Sequence, residues 1–260
     1  MTDSLTGRVA LVTGGSKGIG RAIVLALAEA GADVAICARN LPELEAVAEE
    51  VRVTGRRAFA TVCDVTEAEQ VNRLPAAVGE ALGPIDILVN NAGAAESHKF
   101  VGHPDDLWYR MLEINLTSVY RVCKAVAPGM IERKWGRIIT IASISSKVGA
   151  RYVAAYTASK HGVLGLMRAL AVELNPHNIT VNAICPGYAD TPMTDANVAS
   201  IVARTGRSEA EVRKYIESSN PQNRLITPEE VAAVAVMLAG DAARGITSQA
   251  INVDGGLVLF

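Results

Sequence analysis

Val9-Ala10-Leu11-Val12-Thr13-Gly14-Gly15-Ser16-Lys17-Gly18-Ile19-Gly20 is the stretch that decides the fold of this chain. A short apolar run with strand character ends in a turn containing four glycines. An apolar run over residues 22–28 then continues the helix that the turn opens. Glycines let the backbone turn tightly, and they let a pyrophosphate approach the free N–H groups at a helix N-terminus. A glycine-rich turn alone also fits a plain strand-to-helix connection. The spacing is G-x-x-x-G-x-G rather than G-x-G-x-x-G, and no Gly-Lys-Ser/Thr closes it, which argues against a P-loop. What favours a dinucleotide site is the position of the turn, in the first βα unit of a chain that keeps alternating.

Moving outward, apolar runs at residues 9–12, 34–37, 58–62, 85–89, 137–141, 179–184 and 250–253 read as strands. They are nearly continuous, as expected when both faces of a sheet are covered. Helical patterns lie between them. Asn40 caps one that runs to about Thr54, and Thr66 with Glu69 looks like a capping box for the next. Thr227-Pro228-Glu229-Glu230 puts a cap, a first-turn proline and two acids at the start of a late helix. Strands alternating with helices imply parallel crossovers and an α/β fold, a doubly wound Rossmann-type sheet of about seven strands. No linker or repeat divides residues 1–260, so a single domain is expected. The rhythm breaks only between Gly187 and Thr227, where residues 188–226 form either a lid or an inserted pair of helices.

Composition agrees. Of 260 residues, 50% are hydrophobic and 20% charged, with a net charge of −2. That suits a sizeable core and argues against an electrostatic nucleic-acid binder. No apolar run approaches the ~20 residues that span a bilayer. Met1-Thr2-Asp3-Ser4 shows no basic region followed by an apolar stretch, so no secretory signal is expected. Cys37, Cys63, Cys123 and Cys185 each sit in apolar context without a C-x-x-C pair, and read as buried hydrophobes in a reducing, cytoplasmic compartment. His98, His103, His161 and His177 lack metal-ligand spacing, so no metal is expected.

The glycine turn resembles the cofactor loop of the short-chain dehydrogenase/reductase family. Further motifs follow in that family's order: Asn90-Asn91-Ala92-Gly93, Asn115, Ser143, Tyr156-Thr157-Ala158-Ser159-Lys160 and Pro186-Gly187. The resemblance covers nearly the whole chain. It implies a nicotinamide cofactor held by Gly14, Ser16, Lys17, Gly18, Ile19 and Gly20. Asp64 and Val65 would lie beside the adenine, Asn91 and Gly93 after the fourth strand, and Pro186, Gly187, Ala189 and Thr191 near the nicotinamide. Asp64 also fits a plain turn former before Thr66.

Cofactor choice turns on the end of the second strand, where an acid accepts from a ribose 2′-hydroxyl and repels a 2′-phosphate. Here Ala38 is followed by Arg39. With Lys17 nearby in the family's fold, two cations and no carboxylate imply NADP (NADPH) in preference to NAD. The bland alternative is that both cations are solvated surface charges.

For chemistry, Tyr156 and Lys160 are four apart on a predicted helix and share a face. The resemblance makes Tyr156 the proton donor, with its pKa lowered by the Lys160 ammonium and the oxidised nicotinamide. Lys160 would hold the nicotinamide ribose as well. Ser143 would polarise the substrate oxygen, and Asn115 would tie a water to Lys160; Asn115 also fits a buried hydrogen bonder that bends its helix. Tyr188 and Met193 are candidates for the substrate wall. The implied activity is reduction of a ketone or 3-oxoacyl thioester to a secondary alcohol. The alternatives are oxidation of a secondary alcohol, polyol or steroid, and, remotely, a nucleotide sensor without chemistry. The resemblance includes 3-oxoacyl reductases and polyketide ketoreductases. It further implies a homotetramer using the helices that carry Asn115 and Tyr156, the helix at residues 231–239 and the tail at residues 250–260. Arg133, Lys134 and Arg137 read as a solvated charge cluster, or less plainly as a docking patch.

Overall fold

The computed structural model describes residues 5–260, so the reading made on residues 1–4 lies outside the described residues. Seven parallel strands form one sheet in the order β3-β2-β1-β4-β5-β6-β7: β1 (Val9–Thr13), β2 (Asp33–Ala38), β3 (Ala58–Val62), β4 (Ile87–Asn90), β5 (Gly136–Ile141), β6 (Ile179–Pro186) and β7 (Ala250–Val253). The sequence expectation puts the start of β4 two residues early. Asp86 instead exchanges bonds with the edge of β1, its carboxylate accepting from the Val9 N–H at 3.2 Å and its own N–H donating to the Val9 carbonyl at 2.9 Å.

Alternation along each strand explains the two cores. Ala10 and Val12 face one side and Val9 and Leu11 the other, yet all four are apolar because both sides are covered. On the first face lie α1 (Gly18–Glu29), α2 (Leu41–Val53) and α9 (Pro228–Ala239), through Ile23, Leu27, Leu44, Val231 and Leu238. On the second lie α3 (Ala68–Ala81), α5 (Ser118–Arg133) and α6 (Ala154–Leu174), through Val71, Leu74, Val122, Val126, Val163 and Met167. The residue 188–226 segment holds α7 (Pro192–Thr205) and α8 (Glu209–Ser219), which share a small apolar cluster of Val198, Val212, Ile216 and Leu225. The segment folds as a pair of helices.

Local signals fared unevenly. Thr227 is the expected cap of α9 and forms a capping box with Glu230, and Asn40 caps α2, its side chain accepting from the Glu43 N–H. Thr66 and Glu69 form none. The Thr66 hydroxyl donates to Asp64 at 2.7 Å, and α3 starts at Ala68 without a side-chain cap. A carboxylate two residues upstream offers Thr66 a charged acceptor that competes with the helix end. The basic cluster is corrected at Arg137 alone, since Arg133 and Lys134 are exposed as read. Arg137 is only 1% exposed, bonded to Asp241 at 3.0 Å and stacked 4.3 Å over the Trp135 ring; Arg133 donates to the Ile85 carbonyl. The long aliphatic stem of Arg137, and its reach to a partner distant in sequence, permit its burial.

The glycine turn closes by backbone contact. Gly14 has φ +65°. A β-carbon on Gly20 would lie 2.2 Å from the Gly14 carbonyl oxygen. Gly20→Ala is therefore expected to cost about 1–3 kcal/mol of stability. Gly79→Ala, inside α3 with nothing within 4 Å of the added carbon, should instead gain about 0.5–1 kcal/mol. Denaturant unfolding of the two variants beside the parent chain checks both signs.

Candidate active site

Strand order places the site. β1 is flanked by β2 and β4, so the chain leaves β1 in opposite directions and opens a crevice at the carboxyl ends of those strands. Side chains knit that point. Thr13 Oγ1 accepts from the N–H groups of Asn91 at 3.0 Å and Ala92 at 3.1 Å. Asn91 Nδ2 donates to the carbonyls of Thr13 and Gly14, both at 3.0 Å. Asn91 thus fixes the glycine turn to the end of β4.

Above the crevice lies a cavity of about 1420 Å³. That exceeds the roughly 300–1,000 Å³ typical of a small-ligand pocket and leaves room for a dinucleotide together with a substrate. Every site residue named from the sequence lines it: the glycine turn, Arg39, Asp64, Val65, Asn91, Gly93, Asn115, Ser143, Tyr156, Lys160, Pro186, Gly187, Ala189 and Thr191. Tyr188 and Met193 line it as well. The N-terminus of α1 opens into it beside Lys17, whose side chain makes no cap bond. Thr191 caps α7 and faces Gly18. A close backbone turn, an uncapped helix N-terminus and this volume together fit a dinucleotide.

At the other end stand the polar groups. Ser143 lies two residues past β5 and caps a single tight turn, its hydroxyl accepting from the Ser145 N–H at 3.0 Å. Tyr156 and Lys160 are one turn apart on α6, with Lys160 Nζ 5.8 Å from the Tyr156 ring centroid. Lys160 is 6% exposed and donates to the Ile141 carbonyl at 2.9 Å. Burial pushes it down to about 8, opposed by Cys185. Tyr156 is shifted by the chain's own groups. Burial raises its phenol pKa, and the hydrogen bond with Ser143 only partly offsets that.

Asn115 sits in a widened turn, Glu113–Thr117, between α4 (Asp105–Leu112) and α5. It is 1% exposed, and its amide is directed at Ala94: Oδ1 accepts from the Ala94 N–H at 3.0 Å and Nδ2 donates to the Ala94 carbonyl at 2.9 Å. It holds the loop after β4 against the helix layer. Asp64 has the turn-forming role considered for it and stands in the cavity wall. Its carboxylate accepts from the Thr66 N–H and hydroxyl. Partial burial opposes its charge, but those bonds and Arg39 hold it below the usual carboxylate range.

The sequence reading missed two parts of the wall. One is Glu43, on the first turn of α2, which accepts from Ser16 Oγ at 3.0 Å and from Asn40 Nδ2 at 2.9 Å. This corrects the expectation that no carboxylate stands at the Lys17–Arg39 end. The acid was legible only as a helix first-turn charge. The other is the tail from Leu257 to Phe260, tied down by Lys147, whose Nζ donates to the carbonyls of Ala250 and Phe260 at 2.8 Å each. No periodicity announces such a strap.

A model of the short chain dehydrogenase family matches residues 8–201. The chain belongs to the short-chain dehydrogenase/reductase family and is an NAD(P)-dependent oxidoreductase. Among its relatives, a Streptomyces coelicolor protein named "Putative ketoacyl reductase" is 44% identical over 252 residues, 96% of each chain. The 3-oxoacyl-(acyl-carrier-protein) reductase FabG of Pseudomonas aeruginosa is 39% identical over 256 residues, 98% of this chain and 99% of its own. A solved variant of actinorhodin polyketide ketoreductase with NADPH covers 100% of both chains at 41% identity, with a TM-score of 0.94. No helix among the described residues is long and apolar enough to cross a membrane.

Lys160 gives a direct check on the site's electrostatics. Its amine should acetylate with a midpoint near pH 8 rather than 10.5, as read by peptide mapping after brief labelling across a pH series. A midpoint above 10 would show that burial does not act on it as described.

Proposed function

We propose that this chain reduces a ketone or 3-oxoacyl thioester to a secondary alcohol with NADPH as the preferred cofactor. The observation that carries the reading is the polar corner itself. A buried lysine, a phenol that burial keeps protonated, and a serine hydroxyl share one wall of a cavity whose far end fits a dinucleotide. The names of the ketoacyl relatives and the NADPH in the actinorhodin ketoreductase structure support the same substrate class and cofactor.

When bound, the nicotinamide supplies the hydride. The chain's residues do the rest. Gly14, Ser16, Gly18, Ile19 and Gly20 would cradle the pyrophosphate at the α1 N-terminus. Asn91, Gly93, Pro186, Gly187, Ala189 and Thr191 would hold the nicotinamide half, and Asp64 and Val65 the adenine. Lys17 and Arg39 are exposed, their side chains make no hydrogen bond to the described residues, and both are available to a 2′-phosphate. Ser143 donates to the substrate oxygen and polarises the carbonyl. Tyr156 transfers its proton to that oxygen. A protonated phenol suits the reductive direction, because that direction consumes the proton it carries. Lys160 holds the ribose and hands the proton on. Asn115 fixes the loop at Ala94, and its carbonyl oxygen retains a lone pair for a water that would reach Lys160. We place the enzyme in the cytoplasm as a homotetramer. Four buried free thiols support a reducing compartment, and exposed Tyr120, Val172, Met237, Leu259 and Phe260 support assembly through α5, α6, α9 and the tail.

Tyr156→Phe tests the central claim. Turnover with acetoacetyl thioesters, 1,3-diketones and simple ketones should fall by ~10²–10⁴ while cofactor still binds; near-parental turnover would remove Tyr156 as the acid. For the parent enzyme, kcat/KM for reduction should decline as pH rises through about 8, where Lys160 loses its charge. Light scattering at micromolar concentration should return four times the 27.3 kDa chain mass.

A further inference from the structure

The Lys17–Arg39 end of the cavity carries more negative charge than the sequence suggests. Glu43 and Asp64 line it with the two cations, so the four formal charges cancel. The two carboxylates differ. Asp64 is turned to Thr66, and Arg39 acts on it. Glu43 is held by neutral donors alone: Ser16 Oγ on Oε2 at 3.0 Å and Asn40 Nδ2 on Oε1 at 2.9 Å. Its backbone N–H donates to Asn40 Oδ1, which fixes its place on the first turn of α2. The side chain is half-buried and makes no ion pair among the described residues. Its charge is therefore fixed in position and not neutralised by contact.

We infer that Glu43 is a specificity-determining residue that limits the preference for the 2′-phosphorylated cofactor. The inference rests on the proposed placement of the adenosine ribose at this end. Lys17 and Arg39 attract a dianionic phosphate, and a carboxylate anchored between Ser16 and Asn40 repels it. A cofactor with a free 2′-hydroxyl brings no charge there, and the carboxylate offers that hydroxyl an acceptor. The same residue thus acts against NADP and not against NAD. It leaves the enzyme able to use both cofactors where the bare pair of cations would select one.

Glu43→Gln removes the charge and keeps an acceptor for Ser16. Calorimetric titration of the cofactor-free protein with NADP+ and with NAD+ reads the effect without relying on turnover. The Kd for NADP+ should tighten about five- to tenfold, and that for NAD+ should stay within about twofold or weaken. The gain should shrink as salt rises from about 50 to 300 mM, since the site is open to solvent. Ala38→Asp, which adds a carboxylate at the end of β2, should move the NADP+ Kd the other way, and it reports on the same charge balance should Glu43→Gln unfold. Equal tightening of both cofactors, or a Kd ratio changed less than twofold by Glu43→Gln, would overturn the inference while leaving the proposed reductase intact. Failure of the parent chain to bind either cofactor would overturn the proposed function, and this inference with it.

Discussion

The parallel join between β1 and β4, where Ala10 pairs with Ile87 and Val12 with Val89, holds together the halves of the sheet on which the cavity depends. Strands β2 and β3 hang from one side of that join, and β5, β6 and β7 from the other. Because every strand runs the same way, each delivers its following loop to one edge. The glycine turn comes from β1, Arg39 from β2, Asp64 from β3, Asn91 from β4, Ser143 from β5 and Gly187 from β6. Thr13 and Asn91 lock the join at its open end through bonds that cross 78 residues of sequence. The cavity is a consequence of strand direction before it is a consequence of any single residue.

Upon that edge the charge environment divides in two. At the α6 end, burial governs: it lowers Lys160 and raises Tyr156, so each is pushed toward its neutral form. A neutral phenol beside an amine that titrates near neutrality is well matched to passing a proton toward a carbonyl oxygen. At the α2 end, solvent is close and charges compete by position, with Glu43 and Asp64 against Lys17 and Arg39. One cavity therefore combines a dry corner, where desolvation sets protonation, with a wet one, where Coulomb terms are screened.

Much of this was legible from sequence because it rests on local pattern. Continuous apolar runs identified all seven strands within a residue or two, and the glycine turn and the four-residue spacing of Tyr156 and Lys160 identified the edge and the face. What escaped depends on distance in space. The first-turn acid of α2 looks like any helix-start carboxylate until Ser16, 27 residues away, is seen to donate to it. Arg137 reads as surface charge until Asp241, 104 residues on, and the Trp135 ring are seen to enclose it. The upward push that the chain itself exerts on Tyr156 has the same character: an ammonium one turn away is visible in sequence, and the depth of burial is not. Thr66 failed as a cap because a better acceptor lay two residues upstream, a competition that a capping pattern does not represent.

The enclosed guanidinium sits at the amino edge of the sheet, with Arg8 3.6 Å over the other participant, the Trp135 ring. Arg137 and Ser143 bracket β5, roughly 20 Å apart at about 3.3 Å per residue. Substitutions that far apart combine almost additively. Repacking the stacked cations around Trp135 for heat resistance can therefore be pursued by directed evolution independently of any redesign of selectivity at the opposite edge, with the two sets of changes merged afterwards.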